Sequence, residues 1–575
     1  MTVKYSEIAV NSGRMESAKF DEAHAAVSLP AATGCGAAAV CDMSGVDLGD
    51  GLVLRTLASD SNSEREALAS FNARVHHASV GRTTLHWLNG GHPTLDPSRV
   101  TVVVDTTKNP APIVSALLSI PQVVGYGNSS ATVPLRVTRI EAVGTDEAYR
   151  GHQLVQRHMD LHHRWAETAL DSPLQYIGGI PLYYKRFGYE NCPERDGGFA
   201  GSLASIAAIV KTVNALPPAR KLRVRSAKAA DAPFLERLNR HGAARRQALW
   251  TDLDEHAWVH LIERRRKSPG AFTGRSVWIL EHELELEPGQ EPEDSGISGD
   301  EDADSTAGLP VAFMVMCAKR AAGVVRFELD DEAKDFSWID ATQAMLAWLP
   351  TFYKEYGAEA YKLLRAPYLD PAVPKVDDAK VPESSTPVEQ ESAEQVQAPT
   401  SLQPQAAPAP PTIPEDWKFE LLLGRHHPCY KAINREAVVP STLIPEFWFM
   451  RIPSPFKFIQ AVIPVLNSRL AQSITFARVT KSILLSKSAG SVANCPIIHV
   501  VKGKCQDVAI SSKDAKRSDF SVIYFDGTAL NRVLLGHKSV FELEATGSAL
   551  GDHVGMQLLD VLFPVGISDE IMGFD

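Results

Sequence analysis

The sequence predicts an α+β protein of several domains, and three observations predict it. A β-branched strand, Val100 to Asp105, passes through a turn into a second strand, Ile113 to Val124, so the two form a hairpin. A third strand, Leu135 to Thr145, enters the loop Asp146 to Gln153 and then a helix from Leu154 to about Thr168. A strand–helix opening at Leu52 to Arg55 recurs at Leu222 to Arg225, about 170 residues later, as two copies of one fold would make it. Chance similarity between two such openings is the competing reading.

The openings have their own capping signals. Ser59, Asp60 and Ser61 precede a helix that carries Leu68 and Phe71 on one face. Asp231 precedes one that carries Leu235 and Leu238. Residues 1–50, rich in Ala, Ser and Gly, read as a flexible arm. Between Arg275 and Lys319 there is no basic residue, and from Asp370 to Pro414 the chain is rich in Pro, Ala, Gln, Glu and Ser with no aromatic. Such compositions resist compaction, so both segments read as unstructured excursions. Globular composition then returns. Phe447 to Arg451 reads as a strand. Phe456 to Leu470 has helical spacing that Pro464 kinks or splits, and Leu558 to Pro564 closes a last helix.

With 575 residues and 44% hydrophobic composition, nothing limits core formation. The net charge of −11 argues against a nucleic-acid partner, whose phosphates need a basic surface. Seven cysteines, an odd number at wide spacing with no C-x-x-C, argue against a zinc site and a disulfide framework and fit reduced thiols, hence a cytoplasmic location with the nucleus left open. The N-terminus lacks the regions of a signal peptide, and the apolar stretch Ala37 to Cys41 is too short to span a membrane.

The segment that carries chemistry is the join of the third strand to its helix. A helix's first turn presents free N–H groups and the positive end of its dipole. Arg150, Gly151, His152, Gln153, Leu154 and Val155 occupy that turn, so their amides can cradle a pyrophosphate. A second block, Tyr176 to Pro181 and Leu182 to Glu190, leads from a strand into a short helix that ends at Gly188. His158, His162 and His163 lie on the helix; His158 and His162, four apart, read as surface helix histidines rather than a metal pair, and no metal is expected.

These two blocks together resemble the GNAT superfamily of N-acetyltransferases. VGTDEAYRGHQLV resembles its acyl-CoA signature, R/Q-x-x-G-x-G/A, and Tyr184 to Tyr189 its Y-x-x-x-G-F/Y ending. The Gly424 to Tyr430 segment, the stretch from Phe447 to Ser473 and the C-terminal LLDVLFP are similar to the enhanced intracellular survival branch and related fungal proteins. The resemblance implies a GNAT domain over 51–218, a mixed central sheet flanked by helices. A second GNAT-like domain would cover 219–453, with disordered inserts near 282–308 and 370–414. A sterol-carrier-protein-like α/β domain would cover 454–575.

It further implies acetyl-CoA as co-substrate and a primary amine, small molecule or peptide, as acceptor. Val143 and Thr145 would flank the thioester on a splayed third strand, and Tyr184 would be the general acid. Asp575, at the C-terminus, would be the base, with Glu141 the second candidate. Homo-oligomerisation is left open. One departure stands out: Gln153 occupies the motif's glycine position, and Val155 its final small residue. A catalytically silent acyl-CoA-binding protein, or a lipid-binding protein with a dry cavity lined by Phe447, Phe456 and Phe458, are the alternatives.

Overall fold

Side chains that alternate between two apolar faces build the first sheet. The structure, a computed structural model, describes residues 45–58, 61–128, 130–180, 182–194, 198–217, 220–267, 275–282, 308–317, 323–354, 418–424, 427–434, 437–440, 447–487 and 492–568. Most of the expected arm, most of both expected inserts and Asp575 lie outside the described residues. Strands β1 (Val46–Asp47), β2 (Leu52–Thr56), β3 (Val100–Asp105), β4 (Ile113–Asn128) and β5 (Ala131–Thr145) pair antiparallel in turn. Then β6 (Leu174–Ile177) joins β5 in parallel, and β7 (Glu190–Glu194) follows.

Helices cover both faces. On one lie α1 (Asn62–Val75) and α2 (Ala78–His86), on the other α3 (Leu154–Thr168). Val100, Val102 and Val104 pack with Leu68 and Phe71 of α1, while Val103 packs with Leu154 and Leu161 of α3. Period-two alternation therefore feeds two cores, which is why β3 is buried at every position. The expected cap is Ser61, whose hydroxyl accepts the Glu64 N–H at 3.2 Å.

The second sheet uses β8 (Phe199–Ser202), β9 (Leu222–Ser226), β11 (Arg275–His282), β12 (Leu309–Cys317), β13 (Gly323–Leu329), β14 (Lys418–Leu421) and β15 (Val438–Pro440), with β10 (Gln247–Thr251) outside it. Its helices are α4 (Ala207–Asn214), α5 (Ala232–Arg246), α6 (Glu255–Lys267) and α7 (Trp338–Phe352). Leu235 and Leu238 of α5 are buried, as the repeated opening requires.

Strand β16 (Phe447–Arg451) leaves this region and enters the first sheet, antiparallel between β6 and β7. In the opposite sense, β8 leaves the first region and enters the second sheet, antiparallel between β14 and β15. The orders β2-β3-β4-β5-β6-β16-β7 and β9-β11-β12-β13-β14-β8-β15 then correspond strand for strand, each with its parallel pair in the same place. Sheet membership thus crosses the boundary expected near residue 218.

Beyond β16, Pro464 splits the expected helix into α8 (Pro455–Ala461) and α9 (Ile463–Gln472). In the first turn of α9 its missing N–H costs nothing. A third sheet follows, β17 (Lys481–Ser486), β18 (Pro496–Val501), β19 (Lys504–Ile510), β20 (Ser521–Phe525) and β21 (Ala549–Gly551). With it come α10 (Ala529–Leu534), α11 (Val540–Ala545), α12 (His553–Leu562) and the short β22 (Ile567–Ser568). One core joins Tyr126 and Trp448 of the first sheet to Phe458, Leu466, Ile523 and Leu559 of this last region.

Two readings need correction. The second strand, expected to end at Val124, continues through Gly125 to Asn128, paired with Ala131 to Pro134. Its Gly125 admits the Trp250 ring of β10, which would lie 2.3 Å from a Cβ there. Phe458 does not line a cavity; it is fully buried in the shared core, with its ring edge-on to Tyr126 at 5.4 Å. The side chain of Phe447 lies outside the described residues.

Candidate active site

The site begins where β5 and β6 part. They pair only over Val137–Ile140 and Leu174–Ile177. Beyond Ile140, β5 stays on β4, but Leu118 faces Glu141 while Ala116 faces Gly144, so Ala142 and Val143 form a bulge opposite Leu117. Ala142 sits at φ 47, a backbone conformation characteristic of bulges and rare outside glycine. From Val143 to Thr145 no strand pairs on the β6 side among the described residues. The result is a wedge with unpaired backbone on one wall. Ser115 steadies that wall, its hydroxyl donating to the Gly144 carbonyl at 2.8 Å.

The loop at the wedge's end is built to leave donors free. Asp146 caps the single turn Glu147–Tyr149 and is held to Arg74 of α1 at 2.9 Å. Arg150 is extended and exposed, and Gly151 sits at φ 93 in open space. Gln153 is the N-cap of α3 in the left-handed region, φ 58 and ψ 26, and gives no side-chain cap. The first-turn N–H groups of α3 are therefore uncapped by side chains. Leu154 turns into the core and Val155 packs against the Tyr184 cluster, so these two offer backbone rather than side chains. Gln153 keeps the conformation that glycine takes freely, at a cost of about 1 kcal/mol.

The counterpart in the second sheet is different. Ser337 accepts the Asp340 N–H at 3.3 Å, and Asp340 accepts the Ser337 N–H at 2.8 Å, so α7 is closed by its own capping box. Asp330, Asp331, Glu332 and Asp335 precede it. An anion would meet like charge there.

Tyr184 stands on the turn Tyr183–Phe187, which ends at Gly188 in the left-handed cap, φ 85. Its ring packs edge-on to Tyr183 at 5.2 Å and lies 5.8 Å from Phe449 of β16. Val143 and Val155 pack against the same cluster. Gly179 gives the ring room, since a Cβ there would lie 2.9 Å from Cε2. The Tyr184 hydroxyl makes no hydrogen bond among the described residues. Burial, aided by Tyr183 and the Glu141 carboxylate, pushes its pKa upward, so the phenol keeps its proton through neutral pH. The wedge, the loop and Tyr184 are thus brought together. Glu141 is not a free base at rest: it accepts from Arg139 Nε at 2.5 Å.

The helix histidines were read as surface residues, and the structure corrects this. His158 and His162 are buried, on the same face of α3 as Leu154 and Leu161. Thr101 Oγ1 and His158 Nδ1 share a 2.7 Å hydrogen bond, and His163 Nε2 and the Tyr189 hydroxyl one of 3.1 Å. Burial holds the pKa of His158 down to about 3, so it is a neutral part of the core. Among the described residues no group of three metal-binding side chains converges, and no helix is long and apolar enough to cross a membrane. His76, which sequence reasoning missed, lies against the bulge; no periodicity marks it, because it caps the end of α1.

No protein-family model matches the sequence, and no curated protein is similar to it. Solved structures do share the fold. A GCN5-related N-acetyltransferase from Anabaena variabilis aligns over 91% of this chain and 100% of its own, with a TM-score of 0.53 at 12% identity. One from Kribbella flavida covers the same shares with a TM-score of 0.51 at 13% identity. A conserved protein from Enterococcus faecalis, a probable N-acyltransferase, aligns over 91% of this chain and 99% of its own, with a TM-score of 0.52 at 10% identity. At such identities the likeness is one of fold, a mixed α/β architecture shared with GCN5-related N-acetyltransferases over nearly the whole chain.

Proposed function

We propose that this chain is an acetyl-CoA-dependent N-acetyltransferase acting on a primary amine. The observation that carries the reading is the wedge between β5 and β6, opening beside a helix start with no side-chain cap. Acetyl-CoA needs both: hydrogen-bonding backbone for its amide-rich arm, and an electropositive cradle for its pyrophosphate. Arg150, Gly151, His152, Gln153, Leu154 and Val155 would hold the pyrophosphate, and Val143 and Thr145 would flank the thioester. Tyr184 would protonate the departing thiolate.

Asp575, the base that the family resemblance implies, lies outside the described residues. β22 runs parallel to β10, and β10 runs antiparallel to β4, so the last described strand points toward the wedge end of the sheet. We read residues 51–218 as the catalytic GNAT domain and 219–453 as a second GNAT-like domain without a cofactor site. Matching strand order supports the duplication, and the closed, acidic start of α7 supports the silence. Residues 454–575 we read as sterol-carrier-protein-like. Among the described residues Cys192, Cys317, Cys429, Cys495 and Cys505 form no disulfide, which fits a cytoplasmic location.

The test is calorimetry with acetyl-CoA and with free adenosine. It is followed by a screen of polyamines, aminoglycosides and lysine peptides for acetyl transfer. Micromolar acetyl-CoA binding with transfer to one amine class is expected. No binding at millimolar acetyl-CoA would end the proposal.

A further inference from the structure

His76 ends α1 as its C-cap, with its backbone N–H donating to the Asn72 carbonyl at 3.0 Å. Its imidazole lies beside the backbone of Ala142, the left-handed residue of the bulge, and against Gly144. Gly144 makes the approach possible: a Cβ there would stand 2.9 Å from His76 Nε2 and 2.8 Å from Val75 Cγ1. The ring thus lies against the wall of the wedge, on a residue that is exposed as a whole.

The two sides of the wedge are distinct. Ala142 packs into the core beneath α1 with Val75, whereas Val143 packs with Tyr184 on the side of α3. His76 and Tyr184 therefore address the wedge from opposite faces of the opened sheet. A thioester lying in it would be attacked from one face and lose its thiolate toward the other.

We propose that His76, and not Asp575, is the base that takes the proton from the attacking acceptor amine. This rests on the acetyltransferase reading. The neutral amine's lone pair forms the new C–N bond at the thioester carbonyl carbon. The nitrogen loses a proton to the imidazole as the C–S bond breaks, and the departing sulfur takes the Tyr184 proton. Imidazolium and phenolate then return to rest by proton exchange with solvent. Although the residue is exposed as a whole, its ring is partly desolvated where it packs against Gly144; this lowers the His76 pKa, with the Ala142 backbone opposing, so the ring is unprotonated at neutral pH. His77 and Arg74 beside His76, Glu141 on β5 and Asp146 on the following loop are the ionisable groups nearest in the chain to these contacts.

The variant His76→Gln can still lie beside Ala142 but cannot take a proton, and His76→Asn reads the same if the first melts early. Thiol release from acetyl-CoA is followed with spermidine and with water alone as acceptor, and acetyl-CoA binding is measured by calorimetry. Turnover should fall about 100-fold with either acceptor while acetyl-CoA affinity stays within about twofold. A variant with turnover within twofold of the parent overturns the proposal. So does a parent protein that binds acetyl-CoA but releases no thiol above the spontaneous rate. A parent that does not bind acetyl-CoA at all overturns the acetyltransferase reading instead.

Discussion

The Glu190 carboxylate receives the Arg532 guanidinium, with Nε at 3.0 Å and Nη2 at 2.5 Å. Thr528 donates to the same carboxylate, and Lys185 lies 3.6 Å away. Glu190 opens β7, directly after the turn that carries Tyr184, while Thr528 is the N-cap of α10 and Arg532 lies in its last turn. The C-terminal region is therefore anchored to the turn on which the proposed acid stands.

Removing the cation should expose that dependence. Arg532→Ala leaves a carboxylate that is 5% exposed without its main partner, which should cost about 3 kcal/mol in denaturant unfolding. Burial alone would raise the Glu190 pKa, but the bonds from Thr528 and Arg532 prevail and hold it below its ordinary value of 4.5. A depressed folded-state pKa contributes stability that is complete above the unfolded value and is lost as pH falls through the folded one. The parent protein should accordingly lose stability on acidification below about pH 4.5, and Arg532→Ala should lose less over the same window. Parallel pH curves for the two proteins would contradict the assignment.

Gln153 occupies a glycine-like conformation, and replacing it should relieve strain. At φ 58 an L-residue is disfavoured by about 1 kcal/mol, partly offset by the greater freedom of an unfolded glycine. Gln153→Gly should leave stability unchanged or raise it by about 0.5 kcal/mol, whereas Gln153→Val should lower it by about 1 kcal/mol or more. With the Cβ gone, acetyl-CoA should bind at least as tightly. A weaker affinity for Gln153→Gly would mean that the glutamine side chain itself contacts the ligand.

Much of the site was legible because its signals are local. The apolar spacing from Leu154 bounded α3 at Leu154–Thr168, Ser61 marked a start, Gly188 a stop and Pro464 a division. The place of β16 was not legible. Phe447 to Arg451 reads as a strand from composition, but hydrogen bonding to β6 and β7 is a long-range choice that no local spacing encodes. Nor was the depth of His158 and His162. Helical spacing puts them on the face of Leu154 and Leu161, a usable signal that a polar reading of histidine overrode. The continuation of β4 past Val124 was not legible either, because the ring that packs against Gly125, Trp250, arrives from a distant strand.

That last contact gives a test of β10's position. Gly125→Ala would set a Cβ 2.3 Å from Trp250 Cε2 and 2.4 Å from Cζ2, both in a side chain with no exposure. Overpacking should cost about 2 kcal/mol, read as a lower denaturant midpoint. The pair Gly125→Ala with Trp250→Leu should recover part of the loss, because the shorter side chain clears the new methyl. Strict additivity of the two changes would show that the ring does not lie over Gly125.

Tyr184 carries the sharpest prediction for chemistry. Its ring is held by Tyr183, Phe449 and the space above Gly179, so Tyr184→Phe removes only the hydroxyl and leaves the packing. That hydroxyl has no hydrogen-bond partner among the described residues, so its loss strands no buried donor, and folding stability should change by less than about 1 kcal/mol. Because burial keeps the phenol protonated well above neutrality, the parent's turnover should show no loss from Tyr184 ionisation up to about pH 9. Turnover of Tyr184→Phe should fall about 10²–10³-fold, with acetyl-CoA affinity within about twofold. An acyl donor whose leaving thiol is more acidic, such as a thiophenyl acetate bound in the same wedge, needs less protonation and should narrow the gap between the two enzymes. An equal deficit with both donors would mean that the hydroxyl positions the thioester rather than protonating the leaving sulfur, and unchanged turnover with acetyl-CoA would remove Tyr184 from the chemistry.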